Sequence, residues 1–139
     1  MNKIRRGMIM ALSLALLLGT VFPGTVSAEK WYQVVVNENQ KIEVDDDSLT
    51  LIDNNNRVQC VSRSTKDNIA AISLIRVDIQ GESFAIGPTK LYNAIGELVS
   101  TTEGDLTAYQ PFLPGSLGMQ LFYYVQGYHD IKVYPKPKR

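Results

Sequence analysis

Residues 69–86 read IAAISLIRVDIQGESFAI, and their patterning decides the fold. In an extended chain, alternate side chains face opposite ways. Ile69, Ala71, Ile75, Val77 and Ile79 then share one face. The other face is apolar early, at Ile72 and Leu74, and polar late, at Arg76, Asp78 and Gln80. Such a strand is covered on both faces at its start and solvated on one at its end. Gly81-Glu82 turns it back into Ser83–Ile86, which predicts an antiparallel hairpin.

The same pattern extends in both directions. Trp31–Val36 (WYQVVV) is aromatic and β-branched and reads as a strand. Asn37-Glu38-Asn39 is a turn, and Lys41–Val44 alternates as a short half-buried strand. Asp45–Leu51 breaks the alternation. Asp53–Asn56 is a second turn, because Asn and Asp tolerate the left-handed backbone. Val58–Ser64 resumes as a strand, and Thr65–Asn68 turns again. After Gly87-Pro88, Thr89–Tyr92 continues, and Asn93–Gly96 turns into Glu97–Thr101.

Beyond Pro111-Phe112-Leu113-Pro114-Gly115 the period changes. Leu117, Leu121, Tyr124, Val125 and Tyr128 recur at helical spacing and predict a helix over 117–128. Ser116 is placed to cap it, although Met119 stands where Glu or Gln would complete a capping box. Ile131–Tyr134 predicts a short edge strand. The fold expected is α+β: an antiparallel sheet of about five to six strands, with one C-terminal helix packed on a face.

The N-terminus predicts export. Lys3, Arg5 and Arg6 precede an apolar run from Ile9 to Leu18, broken only by Ser13. Val26-Ser27-Ala28 supplies small residues for cleavage between Ala28 and Glu29. That is the pattern of a secretory signal peptide over residues 1–28. The run is shorter than the ~20 apolar residues of a membrane span, so no span is expected after processing. Periplasm, cell surface and exterior are all open destinations.

Without residues 1–28, 111 of the 139 residues remain, enough for one core. They read as one domain over 29–134 and a basic tail over 135–139. Eleven basic residues face fourteen acidic ones, which leaves no electrostatic footprint for nucleic acid.

The candidate chemistry is sparse. In EVDDDSLTLIDNNNR, residues 43–57, Asp45, Asp47 and Asp53 could offer oxygens to calcium. No glycine follows at the bend, however, and the calcium-loop pattern fails. The plain reading is two turns. Gly115-Ser116-Leu117-Gly118 faintly echoes a nucleophile elbow, but Pro114 holds the first glycine's place. The sole histidine, His129, would stand about 20 Å from Ser116 along a helix rising 1.5 Å per residue.

Cys60 is the lone cysteine, so no internal disulfide framework is possible. It is read as a small buried apolar residue, with an intermolecular bridge or a reactive thiol as the functional alternatives. A Cys60–His129 thiol–imidazole pair has its minimum parts and nothing more. No phosphate loop, HExxH or paired-cysteine motif is present, so no catalytic residue and no cofactor is expected. Phe122 and Tyr123 fall off the helix's expected apolar stripe. They are the candidate partner-binding or homodimer face, against the plainer reading that they cover the sheet's rim.

A family resemblance gathers these segments. Trp31-Tyr32-Gln33-Val34-Val35 opens the domain, and Ile42–Leu49 (IEVDDDSL) follows. Leu91–Leu98 (LYNAIGEL) and Phe112–Gly118 (FLPGSLG) complete the set. In this order they resemble the bacterial surface-adhesin E-like domain, over nearly all of residues 29–134. The resemblance implies an antiparallel sheet with a helix on one face. It also implies a non-enzymatic binding module whose partner is a host matrix or serum protein. The alternative is an envelope protein with a structural role and no host ligand.

The resemblance further implies that Asp45 and Ser48 make local backbone hydrogen bonds at a strand end and tight turn, leaving Asp46 and Asp47 solvated. Two departures stand out. Tyr109 sits where many members carry tryptophan, and the cysteine pair that ties the last helix to the sheet in some members is absent.

Overall fold

The computed structural model describes residues 30–135. The expected signal segment, the expected Ala28–Glu29 cleavage site and tail residues Lys136–Arg139 lie outside them. The described strands are β1 (Trp31–Val36), β2 (Gln40–Asp45), β3 (Thr50–Ile52), β4 (Arg57–Lys66), β5 (Ile69–Asp78), β6 (Ser83–Tyr92), β7 (Leu98–Thr102) and β8 (Gln110–Pro111). Among the described residues one α-helix, α1 (Gly118–Val133), follows the strands. The strands form one antiparallel sheet in the order β1-β2-β4-β5-β6-β7, while β3 pairs β4 and β8 pairs β6. The α+β expectation holds. The long path has six strands, and the two short strands raise the total to eight.

The hairpin of β4 and β5 is the spine. They pair along their whole length, from Arg57↔Asp78 to Lys66↔Ile69. Asp67 and Asn68 make the turn at φ 53° and 65°, a left-handed conformation that short polar side chains tolerate. Asp53, Asn54 and Asn55 do the same between β3 and β4, at φ 53°, 58° and 68°.

β6 runs through Gly87-Pro88 as one strand. The register shifts between Ser73 and Ile75, so Gly87 and Pro88 oppose Leu74 alone. A bulge is one of the few places a strand accepts proline. The 103–109 loop is fastened over this bulge. Asp105 N donates to Ile86 O at 2.8 Å, and a Cβ on Gly104 would meet Gly87 O and Ile86 O at 2.4 Å.

One face of the sheet carries the core. Val44, Val58, Cys60, Ile75 and Val77 pack with Phe112 and with Met119, Phe122 and Val125 of α1. The other face buries Val61, Leu74 and Ala85 among pairs of charged and amide side chains. Arg63 Nε donates to Glu43 Oε1 at 2.8 Å, and Arg76 Nε donates to Gln59 Oε1 at 2.9 Å. The Arg63 guanidinium lies 4.3 Å over the Trp31 ring and that of Arg57 4.6 Å over Tyr109.

The helix corrects several expectations. Its buried residues are Met119, Phe122, Val125 and His129. Phe122, 2 % exposed, is therefore core and not part of an outer face. The expected stripe was phased on Leu117, which precedes the helix. Moving the phase to Met119 brings Phe122 to its centre, where it meets Phe112 at 5.3 Å. Ser116 is not the cap: Leu117 holds that position with no side-chain bond, and Ser116 Oγ donates to Leu113 O at 2.6 Å. Ile131–Val133 continues the helix instead of forming an edge strand. Four residues fit either period, and Pro135 favours an end just before it.

Candidate functional site

The β2–β3 connection is the most heavily bonded turn. β2 and β3 both pair with β4, at Val44↔Ser62 and Thr50↔Gln59, and one turn of 3-10 helix, Asp46–Ser48, joins them. Asp45 Oδ1 accepts from Asp47 N at 3.1 Å and Lys30 N at 3.3 Å. Ser48 Oγ donates to Asp45 O at 2.6 Å and accepts from Val61 N at 2.8 Å. The Ser48 hydroxyl thus fills the gap in β4's ladder between β2 and β3. The local bonding expected of Asp45 and Ser48 is present.

Asp46 is not merely solvated. Tyr124 OH donates to its carboxylate, and Tyr128 OH donates to Leu49 O at 3.1 Å. Burial, then the Asp46 bond, raises the Tyr124 pKa above the usual phenol range. Burial also raises that of Asp45, with its two backbone donors opposing. These bonds make the turn a clamp on α1.

The calcium candidates are held apart by other partners. Asp47 lies 3.8 Å from Lys30 Nζ, and Asp53 Oδ2 accepts from Arg57 at 3.1 Å. Among the described residues, no group of three or more His, Cys, Asp or Glu could hold a metal ion.

The nucleophile candidates are separately engaged. Cys60 is fully buried, and burial pushes its thiol up to about 12, far from the thiolate that reacts. His129 Nε2 faces Asn55 O and Nδ1 faces Asp130 Oδ1, both at 2.9 Å. It anchors the helix end to the β3–β4 turn. Neither Cys60 nor Ser116 is hydrogen-bonded to it. Tyr123 is exposed, with its ring edge on Phe122 at 6.0 Å.

Sequence reasoning missed a half-open pocket of 720 Å³ beside the helix N-terminus. α1 covers the end of the sheet bearing Val58 and Val77. Farther along the same face the side chains shrink to Ser62, Ser64, Ala71, Ser73 and Thr89, and these form the floor. Ile42, Ile86, Phe84, Phe112, Leu113 and Leu121 make the walls. No charged residue lines it.

Ser73 Oγ and Thr89 Oγ1 bond each other at 2.8 Å, and Gln40 Nε2 donates to Ser64 Oγ at 3.2 Å. Ser62 is 8 % exposed, and its hydroxyl has no hydrogen-bond partner among the described residues. Such a group typically costs about 1–3 kcal/mol. The available signal was the row of small hydroxylated residues facing the core at Ser62, Ser64 and Ser73.

The second open feature is the β7 edge. Leu98, Val99, Ser100, Thr101 and Thr102 are all exposed, and β7 pairs on one side only, with β6. Edge strands are commonly blunted by a charge or proline; Leu98–Thr102 has neither, and Glu97 and Glu103 stand at its two ends.

Among the described residues no helix is long and apolar enough to cross a membrane. Comparison with protein-family models, curated proteins and solved structures finds no match.

Proposed function

We propose that this chain is an exported, non-enzymatic binding module that captures an extended segment of a partner protein along β7. One observation carries the reading: a five-residue edge strand, exposed throughout, with no internal charge or proline. An added strand would satisfy its free main-chain groups, the mode of β-augmentation. The flanking acids specify the partner. Two copies paired antiparallel about Ser100 would set Glu97 against Glu103 twice, and like charges directly opposite are destabilising. A different chain with basic residues at both ends of its strand fits better. The signal-peptide pattern and the resemblance to the surface-adhesin E-like domain support export and a matrix or serum protein as partner.

Two measurements test this. Protease shaving of intact cells, read by mass spectrometry, should release peptides from residues 29–139; protection until lysis would remove the adhesin reading. Residues 29–139 should also bind at least one immobilised matrix or serum protein, more weakly at high salt, and Val99→Lys should abolish binding. Equal binding by Val99→Lys, or a dimer in sedimentation that this substitution dissolves, would overturn the β7 assignment.

A further inference from the structure

We infer that the pocket at the helix N-terminus is a binding site for a neutral single-chain amphiphile: an alkyl or acyl chain ending in a hydroxyl, amide or ester. Its volume of 720 Å³ falls within the range of small-molecule sites. Its walls are aliphatic and aromatic, and no lining residue is charged. A carboxylate or ammonium buried there would lose its hydration without gaining a counter-charge, so the bound part is uncharged.

The floor supplies the polar end of the match. Ser62 presents a hydroxyl that is more than nine-tenths buried and unpartnered. It can both donate to a carbonyl and accept from a hydroxyl or amide. Ser73 and Thr89 already share a hydrogen bond, and Thr89 Oγ1 can also donate to Gly87 O at 3.1 Å. That leaves Ser73 Oγ with acceptor capacity beside Ser62. An apolar chain against Ile86, Phe84 and Leu121, with one hydrogen-bonding head at Ser62, uses every surface the pocket offers.

This site does not depend on the β7 reading, and the test separates them. Diphenylhexatriene, a fluorescent hydrocarbon without polar groups, should bind residues 29–139 saturably at one site. 1-Dodecanol should displace it at least tenfold more effectively than dodecanoate or dodecyltrimethylammonium at pH 8. Ile86→Trp, which fills the pocket from a half-exposed position, should abolish binding while the melting transition stays cooperative. Ser62→Ala should weaken 1-dodecanol about fivefold and leave diphenylhexatriene unchanged. Val99→Lys should leave both unchanged. Absent or unsaturable probe binding, binding that survives Ile86→Trp, or equal displacement by dodecanoate would each overturn the inference. So would a Ser62→Ala protein that binds 1-dodecanol as the parent does.

Discussion

One face of one sheet contains two regions with the same backbone and different fates. Where the face carries Val44, Val58, Cys60 and Val77, α1 lies directly on it and all four are fully buried. A few residues along the same face, at Ser62, Ser64, Ser73 and Thr89, the first turn of the helix stands only at the side and a pocket opens. Alternation of in and out is identical in both, since it follows from the pleat. Side-chain bulk differs. Large apolar side chains reach the helix and bury area against it, whereas small hydroxylated ones cannot span the gap. Regular patterning therefore makes a sheet face, and side-chain size decides which part of it becomes core.

Substitutions on either side of that boundary should behave differently. The largest effect is expected at Phe122, which links the helix to Phe112 and the sheet. Phe122→Ala should cost about 3–5 kcal/mol in denaturant unfolding, while Leu113→Ala, 66 % exposed on the pocket wall, should cost little. A loss at Leu113 comparable to that at Phe122 would erase the distinction.

A sharper comparison lies two residues apart on β4. Cys60→Ser puts a hydroxyl into the packed half and should cost about 1–3 kcal/mol. Ser62→Ala removes an unpartnered hydroxyl from the open half, and its stability should match or exceed that of the parent.

The closed half also predicts a pH dependence. The Cys60 thiol titrates near 9.0 when unperturbed and is pushed up to about 12 by burial. Between those values the folded chain keeps a proton that the unfolded chain has lost, so stability falls as pH rises. The contribution is fully present below pH 9.0, and its decline approaches about 1.4 kcal/mol per pH unit. Cys60→Ala should be less stable overall but lack this component of the slope; parallel slopes for the two proteins would mean the thiol is not closed off.

The clamp that holds the helix over the closed half should respond more mildly. Ser48→Ala breaks the bridge between Asp45 O and Val61 N and should cost about 1 kcal/mol. The smallest effect belongs to Ser116→Ala, within about 0.5 kcal/mol, because that hydroxyl bonds a loop carbonyl and does not cap the helix. A cost near that of a lost cap would restore the cap assignment.

The strands and turns were legible because their signals are local. β5, its turn into β6, and the Asp-Asn turns follow from alternation and from residues that accept positive φ. The burial of Cys60 was legible from its residue type, since a free cysteine is among the most buried side chains. The phase of the helix was not, since Leu121 and Phe122 are adjacent apolar residues and either can lead the stripe. The partner of Phe122 is Phe112, outside the helix. The helical identity of Ile131–Val133 was hidden by the shortness of the segment. The pocket was hidden because a row of serines on a strand reads the same whether a helix covers it or stops short.

By itself the sequence determined an antiparallel sheet with a C-terminal helix, the positions of its turns, and the faces of its central strands. Each depends on neighbours within a few residues and on the pleat's period of two. Only the tertiary structure decided where the helix sits, which of its aromatics is core, and that Asp46, Leu49 and Asn55 hold it. Those outcomes depend on contacts more than 70 residues apart in the chain. Such contacts form only when the sheet has brought both partners to the same place.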